Sequence, residues 1–150
     1  MEIKQDKVNL GSGRDITPEY FNIDRTGVLG ADLVMDLNNM PWTQLPDNYF
    51  MEVKAFDIIE HIDDPLKFVE ECYRILKVNG ILKIHTSNWK YPNAYRDITH
   101  KRPFDIDTFD LFDMDTQYGK DYGEFYTFAR FKILIKREEG QELYFEMQKI

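Results

Sequence analysis

The apolar positions of this chain fall into short blocks whose period switches between that of a strand and that of a helix. Lys7–Leu10 is a compact apolar run that leads into Gly11-Ser12-Gly13, the pattern of a buried strand entering a turn. Thr17-Pro18-Glu19 carries a helix-start signal, with threonine as cap and proline at the first helical position. That helix has room for a turn or two only, because Phe21-Asn22-Ile23-Asp24 already reads as the next strand. A crossover between parallel strands usually takes about 10–12 residues or more, so this one is at its minimum. A third apolar piece over residues 31–35 ends in Asp36-Leu37-Asn38-Asn39, and the turn-rich Leu45-Pro46-Asp47-Asn48 precedes a central strand over residues 50–56.

The clearest helix spans residues 63–77. Asp63 or Asp64 caps it, Pro65 sits in its first turn, and Leu66, Val69, Cys72, Tyr73 and Leu76 recur at helical spacing before Asn79-Gly80 stops it. Residues 81–86 then predict a strand, residues 87–103 a loop rich in aromatic and polar side chains, and residues 107–112 a short helix. The pattern closes on a hairpin: residues 131–137, a turn at Glu138-Glu139-Gly140, and residues 142–147 with alternating apolar positions. Strands followed by helices, with a hairpin last, predict an α/β fold. We expect a three-layer Rossmann-like sandwich with a mostly parallel sheet and an antiparallel C-terminal hairpin. In such sheets ligands sit beyond the carboxyl ends of the strands. Here those ends carry Gly11-Ser12-Gly13, Asp24, Asp36, Phe56-Asp57 and Ser87-Asn88, which is the main argument for a site.

Length and composition narrow the setting. A chain of 150 residues with 43% hydrophobic positions reads as a single domain, residues 1–150, with one core. Its 19 basic residues against 27 acidic ones give a net charge of −8, unfavourable for a nucleic-acid partner, whose binding rests on Lys and Arg displacing counterions. His100-Lys101-Arg102 is the nearest approach to a basic patch, and it reads as a solvated loop. The single cysteine, Cys72, allows neither an internal disulfide nor a multi-cysteine metal site. With no signal-peptide pattern and no apolar run of membrane-spanning length, the expectation is a cytoplasmic protein with no membrane partner.

Glycine lets a backbone turn sharply and come close to a ligand. A plain tight turn is one reading of Gly11-Ser12-Gly13. A phosphate-binding loop would end in Gly-Lys-Ser/Thr, where this chain has Arg14-Asp15. A dinucleotide fingerprint needs a third glycine or alanine, where this chain has Ile16. A nicotinamide enzyme stays open only through Asp24, which could serve its ribose. S-adenosylmethionine suits the residues better. Its ribose hydroxyls can use a carboxylate at the end of the second strand, its cationic sulfonium tolerates acidic surroundings, and its amino-acid tail can dock on a glycine turn.

The stretches "NLGSG", "FNIDR", "ADLVMDLNNMPW", "LPDNYFMEVKAFDIIEHIDDP" and "CYRILKVNGILKIHTSN" follow one another in an order that resembles class I S-adenosylmethionine-dependent methyltransferases, in a compact branch with a short first crossover. The resemblance covers roughly residues 7–112. It implies an enzyme that uses S-adenosyl-L-methionine, with Gly11, Ser12 and Gly13 lining the methionine end, Asp24 on the ribose, Asp36 and Leu37 flanking the adenine, and Phe56 and Asp57 near the methyl group. Ser12 stands where Cys or Ala is common, and Val78-Asn79-Gly80 where Pro-Gly-Gly is usual.

Methyl transfer is an in-line displacement, so positioning supplies much of the catalysis, and a hydroxyl or carboxyl acceptor also needs a base. Candidates are Asp57, Glu60, His61 and His100. Asp57 points to the site by strand geometry. In the resembling family the Glu-His pair after the fourth strand is usually structural, while "DITHKRPF" resembles a loop lying over the donor pocket, which makes His100, with Asp57, the catalytic expectation; the other readings are a loop histidine bonded to Asp97 or to backbone, and an Asp57 that caps a helical turn. His85 reads as a core or edge residue in mid-strand. No spacing of His, Asp and Glu suggests a metal. Trp89, Tyr91, Tyr95 and Phe104 could line an acceptor pocket. With only seven residues before Val8, recognition is expected from residues 87–130 or another subunit, and a homodimer is compatible with the hairpin end. The expected acceptor is a small molecule or saccharide. The alternative is a non-catalytic S-adenosylmethionine-binding domain working through a partner.

Overall fold

A computed structural model describes residues 2–150. Among these described residues seven strands form one sheet in the order β3-β2-β1-β4-β5-β7-β6. They are β1 (Lys7–Leu10), β2 (Phe21–Asp24), β3 (Leu33–Val34), β4 (Phe50–Phe56), β5 (Leu76–Ser87), β6 (Phe131–Glu139) and β7 (Glu142–Lys149). β1 to β5 run parallel, while β7 pairs antiparallel with both β5 and β6. This is the expected mostly parallel sheet with an antiparallel hairpin at its end.

Alternation along the strands gives the sheet two unlike faces. Val8, Val53, Leu82 and Met147 lie side by side in register across β1, β4, β5 and β7, and Ala55, Ile84 and Phe145 form the next row. All of these are fully buried. α1 (Pro65–Ile75) presents its buried Phe68, Val69, Cys72 and Ile75 to the core. A 3-10 turn over Thr108–Phe112 sets Phe109 4.7 Å from the Phe145 ring, and Phe112 6.2 Å from the Phe131 ring. Each such side chain contributes roughly 1.5–3 kcal/mol by leaving water.

On the other face stand Glu52, Lys54, Lys83, His85, Tyr144 and Glu146, all half-buried. Lys83 pairs with Glu52 at 3.0 Å, the Tyr20 hydroxyl donates to Glu52, and Lys54 pairs with Asp15. Tyr20 and Asp15 both come from the link between β1 and β2, so that side is roofed by loops. The expected helix at Thr17-Pro18-Glu19 is replaced there by one turn, in which the Tyr20 amide bonds to the Thr17 carbonyl at 3.0 Å. The buried Asn22 amide takes the Thr17 and Tyr20 carbonyls at 3.0 and 2.8 Å, which offers this backbone an alternative to helix. Of three layers, the one on this face is therefore built without a long helix.

Further boundaries differ from the sequence reading. Asp64 caps α1 by accepting from the Lys67 amide at 3.0 Å, but the helix stops at Ile75 rather than at Asn79-Gly80. Phe50 pairs with Leu76 and Glu52 with Ile81, so residues 77–80 bulge out of β5, with Asn79 at φ +67°. The third apolar piece contracts to Leu33–Val34. After α2 (Asn93–Arg96), helix α3 (Gln117–Tyr126) was not foreseen, since two glycines interrupt its pattern. They are there for contact. A Cβ on Gly119 would lie 2.0 Å from the Asp113 carbonyl oxygen, and one on Gly123 2.9 Å from that of Leu111.

Candidate functional site

The carboxyl ends of β1, β2 and β4, with the segment after β3, open onto a cleft of about 560 Å³. Gly11, Asp24, Asp36, Leu37 and Asp57 all line it, joined by the apolar Met35, Ile58, Ile62 and Ile98. Five expected site residues from four separate segments thus meet in one place. The volume is that of a small-molecule site.

Local structure fixes each group. Gly11 has φ +68°, and a Cβ there would lie 2.6 Å from the Ile58 side chain, so the turn can press against the segment after β4 only as glycine. The Gly13 amide donates to Asp24 Oδ2 and the Thr26 amide to Asp24 Oδ1, both at 3.0 Å, which orients the carboxylate at the end of β2. Asp36 accepts from the Asn38 amide at 2.9 Å. Leu37 is held from behind: buried Trp42 donates its indole N–H to the Leu37 carbonyl at 3.0 Å, and its backbone amide bonds to Glu71 Oε2 at 2.7 Å. Burial opposes the Glu71 charge, yet the hydrogen bonds from Arg74 and the Trp42 amide hold its carboxyl below the usual range. Ser12, Gly13 and Phe56 do not line the cleft, Gly13 meeting it only through its amide on Asp24. Ser12 is buried with its hydroxyl unpartnered, and the Phe56 ring lies on the polar face, 5.7 Å from the His85 ring and 6.1 Å from Tyr144.

Asp57 links the cleft to a second group. It sits at φ +53°, an uncommon conformation for a residue with a side chain, and its Oδ1 lies 2.7 Å from His85 Nδ1. That hydrogen bond raises the His85 pKa against the effect of burial, with Glu142 and Glu139 adding to the rise. Burial in turn pushes the Glu142 carboxyl up, while Asn93 donates to it at 2.6 Å. Sequence reading placed His85 in the core or at an edge. Its place beside the site comes from strand register, since β5 puts His85 directly beside Phe56, the last residue of β4.

His100 is not brought into the cleft. Its Nδ1 bonds to the Ala94 carbonyl at 3.0 Å, and its ring packs edge-on 4.8 Å from the ring of His61, which does line the cleft. Glu60 is buried, and burial raises its carboxyl pKa; its carbonyl accepts from the Lys101 amide at 2.7 Å, a tie that holds the loop. Among the aromatics, Phe104 is buried and stacks on Phe109, whereas Trp89 and Tyr95 are exposed. No metal was expected, yet two groups bring three ligand-type atoms within 4.8 Å of one another: Asp57, His85 and Glu142, and His61, Asp97 and His100.

The donor set of the cleft fits S-adenosylmethionine: a carboxylate for a diol at Asp24, an acid and an apolar side chain at Asp36-Leu37, and a glycine turn beside Asp24. Comparison with known proteins agrees. A family model described as a methyltransferase domain matches residues 10–84. A Mycolicibacterium smegmatis protein described as a probable S-adenosylmethionine-dependent methyltransferase is 38% identical over 50 residues, 33% of this chain and 20% of its own length. The matched stretch therefore spans a fifth of that relative. A Thermotoga maritima S-adenosylmethionine-dependent methyltransferase, described as a possible histamine N-methyltransferase, superposes with a TM-score of 0.62 at 18% identity, covering 96% of this chain and 81% of its own. An Archaeoglobus fulgidus S-adenosylmethionine-dependent methyltransferase gives 0.64 at 18% identity, covering 95% and 85%. At such identities the likeness is one of fold.

Proposed function

The chain belongs to the class I S-adenosylmethionine-dependent methyltransferases, and from that premise we propose that it methylates a hydroxyl of a small, saccharide-like acceptor. The observation that carries this reading is the meeting of Gly11, Asp24, Asp36-Leu37 and Asp57 around one cleft. In it Asp24 holds the ribose diol, Asp36 and Leu37 flank the adenine, and the turn from Gly11 to Gly13 receives the methionine end. When bound, S-adenosylmethionine supplies a methyl group on a cationic sulfonium, open to in-line attack by an acceptor oxygen.

The chain's own contribution to the chemistry is a base beside that cleft. Asp57 accepts the Nδ1 proton of His85 and leaves Nε2 as the basic nitrogen. Asp57 is in this reading a positioning residue, and His85 takes the acceptor's proton. This assigns to His85 the role that sequence reading gave to His100. The exposed Trp89 and Tyr95, beyond the strand ends, offer flat surfaces of the kind sugars pack against.

Calorimetric titration with S-adenosylmethionine, S-adenosylhomocysteine and NAD tests the donor site. We expect micromolar binding of the first two, and a loss of roughly ten- to a hundredfold in Asp24→Ala, the weight of hydrogen bonds to a charged group. Binding of neither would overturn the reading. Release of S-adenosylhomocysteine across a panel of sugar and small hydroxyl acceptors tests turnover. Donor binding without release on any of them would favour a non-catalytic domain acting through a partner.

A further inference from the structure

The group beside the cleft that the proposed chemistry leaves unused is the trio His61, Asp97 and His100. His61 follows β4, in the 3-10 turn Ile59–His61, while Asp97 and His100 lie in the loop after β5. Each offers one ligand-type atom within 4.8 Å of the others.

The hydrogen bonds around the trio set its chemistry. His100 Nδ1 lies 3.0 Å from the Ala94 carbonyl, which can only accept, so Nδ1 carries the proton and Nε2 is left bare. That Nε2 stands 3.9 Å from Asp97 Oδ2. The Thr99 hydroxyl donates to Asp97 Oδ1 at 2.7 Å, so at 2.9 Å from His61 Nδ1 it accepts the ring N–H. His61 Nε2 is therefore bare as well. Asp97 Oδ1 also takes the Thr99 amide at 2.9 Å, which leaves Oδ2 as its free oxygen. Two imidazoles thus each have one nitrogen tied to an outer acceptor and the other unprotonated. This is the arrangement in which metal-binding histidines are held, the outer partner fixing ring orientation and tautomer.

We propose that His61, Asp97 and His100 form a site for a divalent transition-metal ion of the zinc class, which clasps the loop after β5 to the turn after β4. Two imidazole nitrogens and one carboxylate oxygen suit zinc and its neighbours rather than calcium or magnesium. Ligands at about 2.0–2.2 Å from a tetrahedral ion stand about 3.4 Å apart, so the Asp97–His100 pair, 3.9 Å apart, closes by about half an ångström and no pair by more than about 1.4 Å. Asp97, half-exposed, is the side chain freest to make that movement. Three protein ligands leave a position open. His61 and Thr99 both line the cleft, so the clasp would steady one of its walls.

The test uses tag-free, chelator-treated protein and needs neither donor nor acceptor, so its failure is separate from that of the proposed function. Titration with zinc chloride should show one equivalent bound at micromolar affinity or tighter, with a raised melting temperature. Cobalt(II) should give visible absorption bands of nitrogen and oxygen ligation. Asp97→Asn and His61→Gln should each weaken zinc at least about tenfold, as loss of even an outer-shell partner commonly does. His85→Gln, in the other cluster, should leave zinc affinity unchanged. Circular dichroism checks that the variants fold, and the mild Asp97→Asn keeps the test valid should a histidine variant not. Zinc binding weaker than millimolar, or binding lost in His85→Gln and kept in Asp97→Asn, would overturn the site.

Discussion

The two faces of the sheet come from the same strands, one residue out of phase, and they do different things. On one, Val8, Val53, Leu82, Phe145 and Met147 are fully buried, and α1 and the chain after β5 pack there. On the other, Glu52, Lys54, Lys83, His85 and Tyr144 are half-buried and satisfy one another under loops. The short links between β1 and β2 and between β2 and β3 explain the difference, because neither is long enough to lay down a helix. Stability should therefore reside on the first face. The second is free to carry titratable groups, and its His85 reaches the cleft through Asp57.

Truncation on the apolar face should be the most damaging change. Phe145→Ala removes a fully buried ring packed 4.7 Å from Phe109 and should cost about 3–5 kcal/mol. Urea unfolding followed by circular dichroism would show this as a large drop in midpoint. A loss under about 1 kcal/mol would mean that the two faces do not divide the work this way.

Lys149 is the exception that sharpens the contrast, a lysine on the apolar face only 5% exposed. Its Nζ donates to Asn48 Oδ1 at 2.8 Å and to the Tyr73 and Leu76 carbonyls at 2.7 and 2.8 Å, and burial lowers its pKa. Lys149→Met keeps the length of the side chain but leaves those acceptors unmet. It should cost about 1–3 kcal/mol. An unchanged unfolding midpoint would show that water replaces the ammonium without penalty.

The apolar face was the legible part of the molecule. Short apolar runs bounded by turns marked β1, β2 and β4, alternation marked the terminal hairpin, and helical spacing marked α1. What escaped depended on partners remote in sequence. α3 was hidden by Gly119 and Gly123, whose reason is contact with the carbonyls of Asp113 and Leu111. The Thr17-Pro18 signal was overruled by Asn22, a side chain in the following strand. In the cleft, residues at strand ends were readable because topology places them. The pairing of Asp57 with His85 was not, since it depends on the register of two strands far apart in the chain.

The next prediction concerns pH on the polar face. Asp57 raises the folded-state pKa of His85, so the pair's contribution to stability is fully present below the ordinary histidine value of about 6.5 and is lost as pH rises through the raised value. Asp57→Asn, which tolerates the positive φ, should therefore be destabilised relative to the parent more at pH 5.5 than at pH 8.5. The same raised value predicts that turnover, where His85 must be unprotonated to act as base, climbs on passing from neutral to mildly alkaline pH. Asp57→Asn should shift that climb to lower pH. A gap in unfolding midpoints that widened toward alkaline pH would contradict the pairing.

The smallest effect should come from the ion pair in the middle of the polar face. Lys83 and Glu52 are 3.0 Å apart with side chains 28% and 14% exposed, and the Tyr20 hydroxyl also donates to Glu52. Lys83→Ala leaves Glu52 that second partner and some access to water. The loss should accordingly be about 1 kcal/mol or less, as for pairs near a surface, and should shrink further in salt. A double-mutant cycle with Glu52→Gln isolates the pair from the packing of the lysine stem. A coupling of several kcal/mol that resists salt would mean that this face is sealed from solvent. The contrast between the two faces would then lie in the kind of group buried, not in how much burial each supplies.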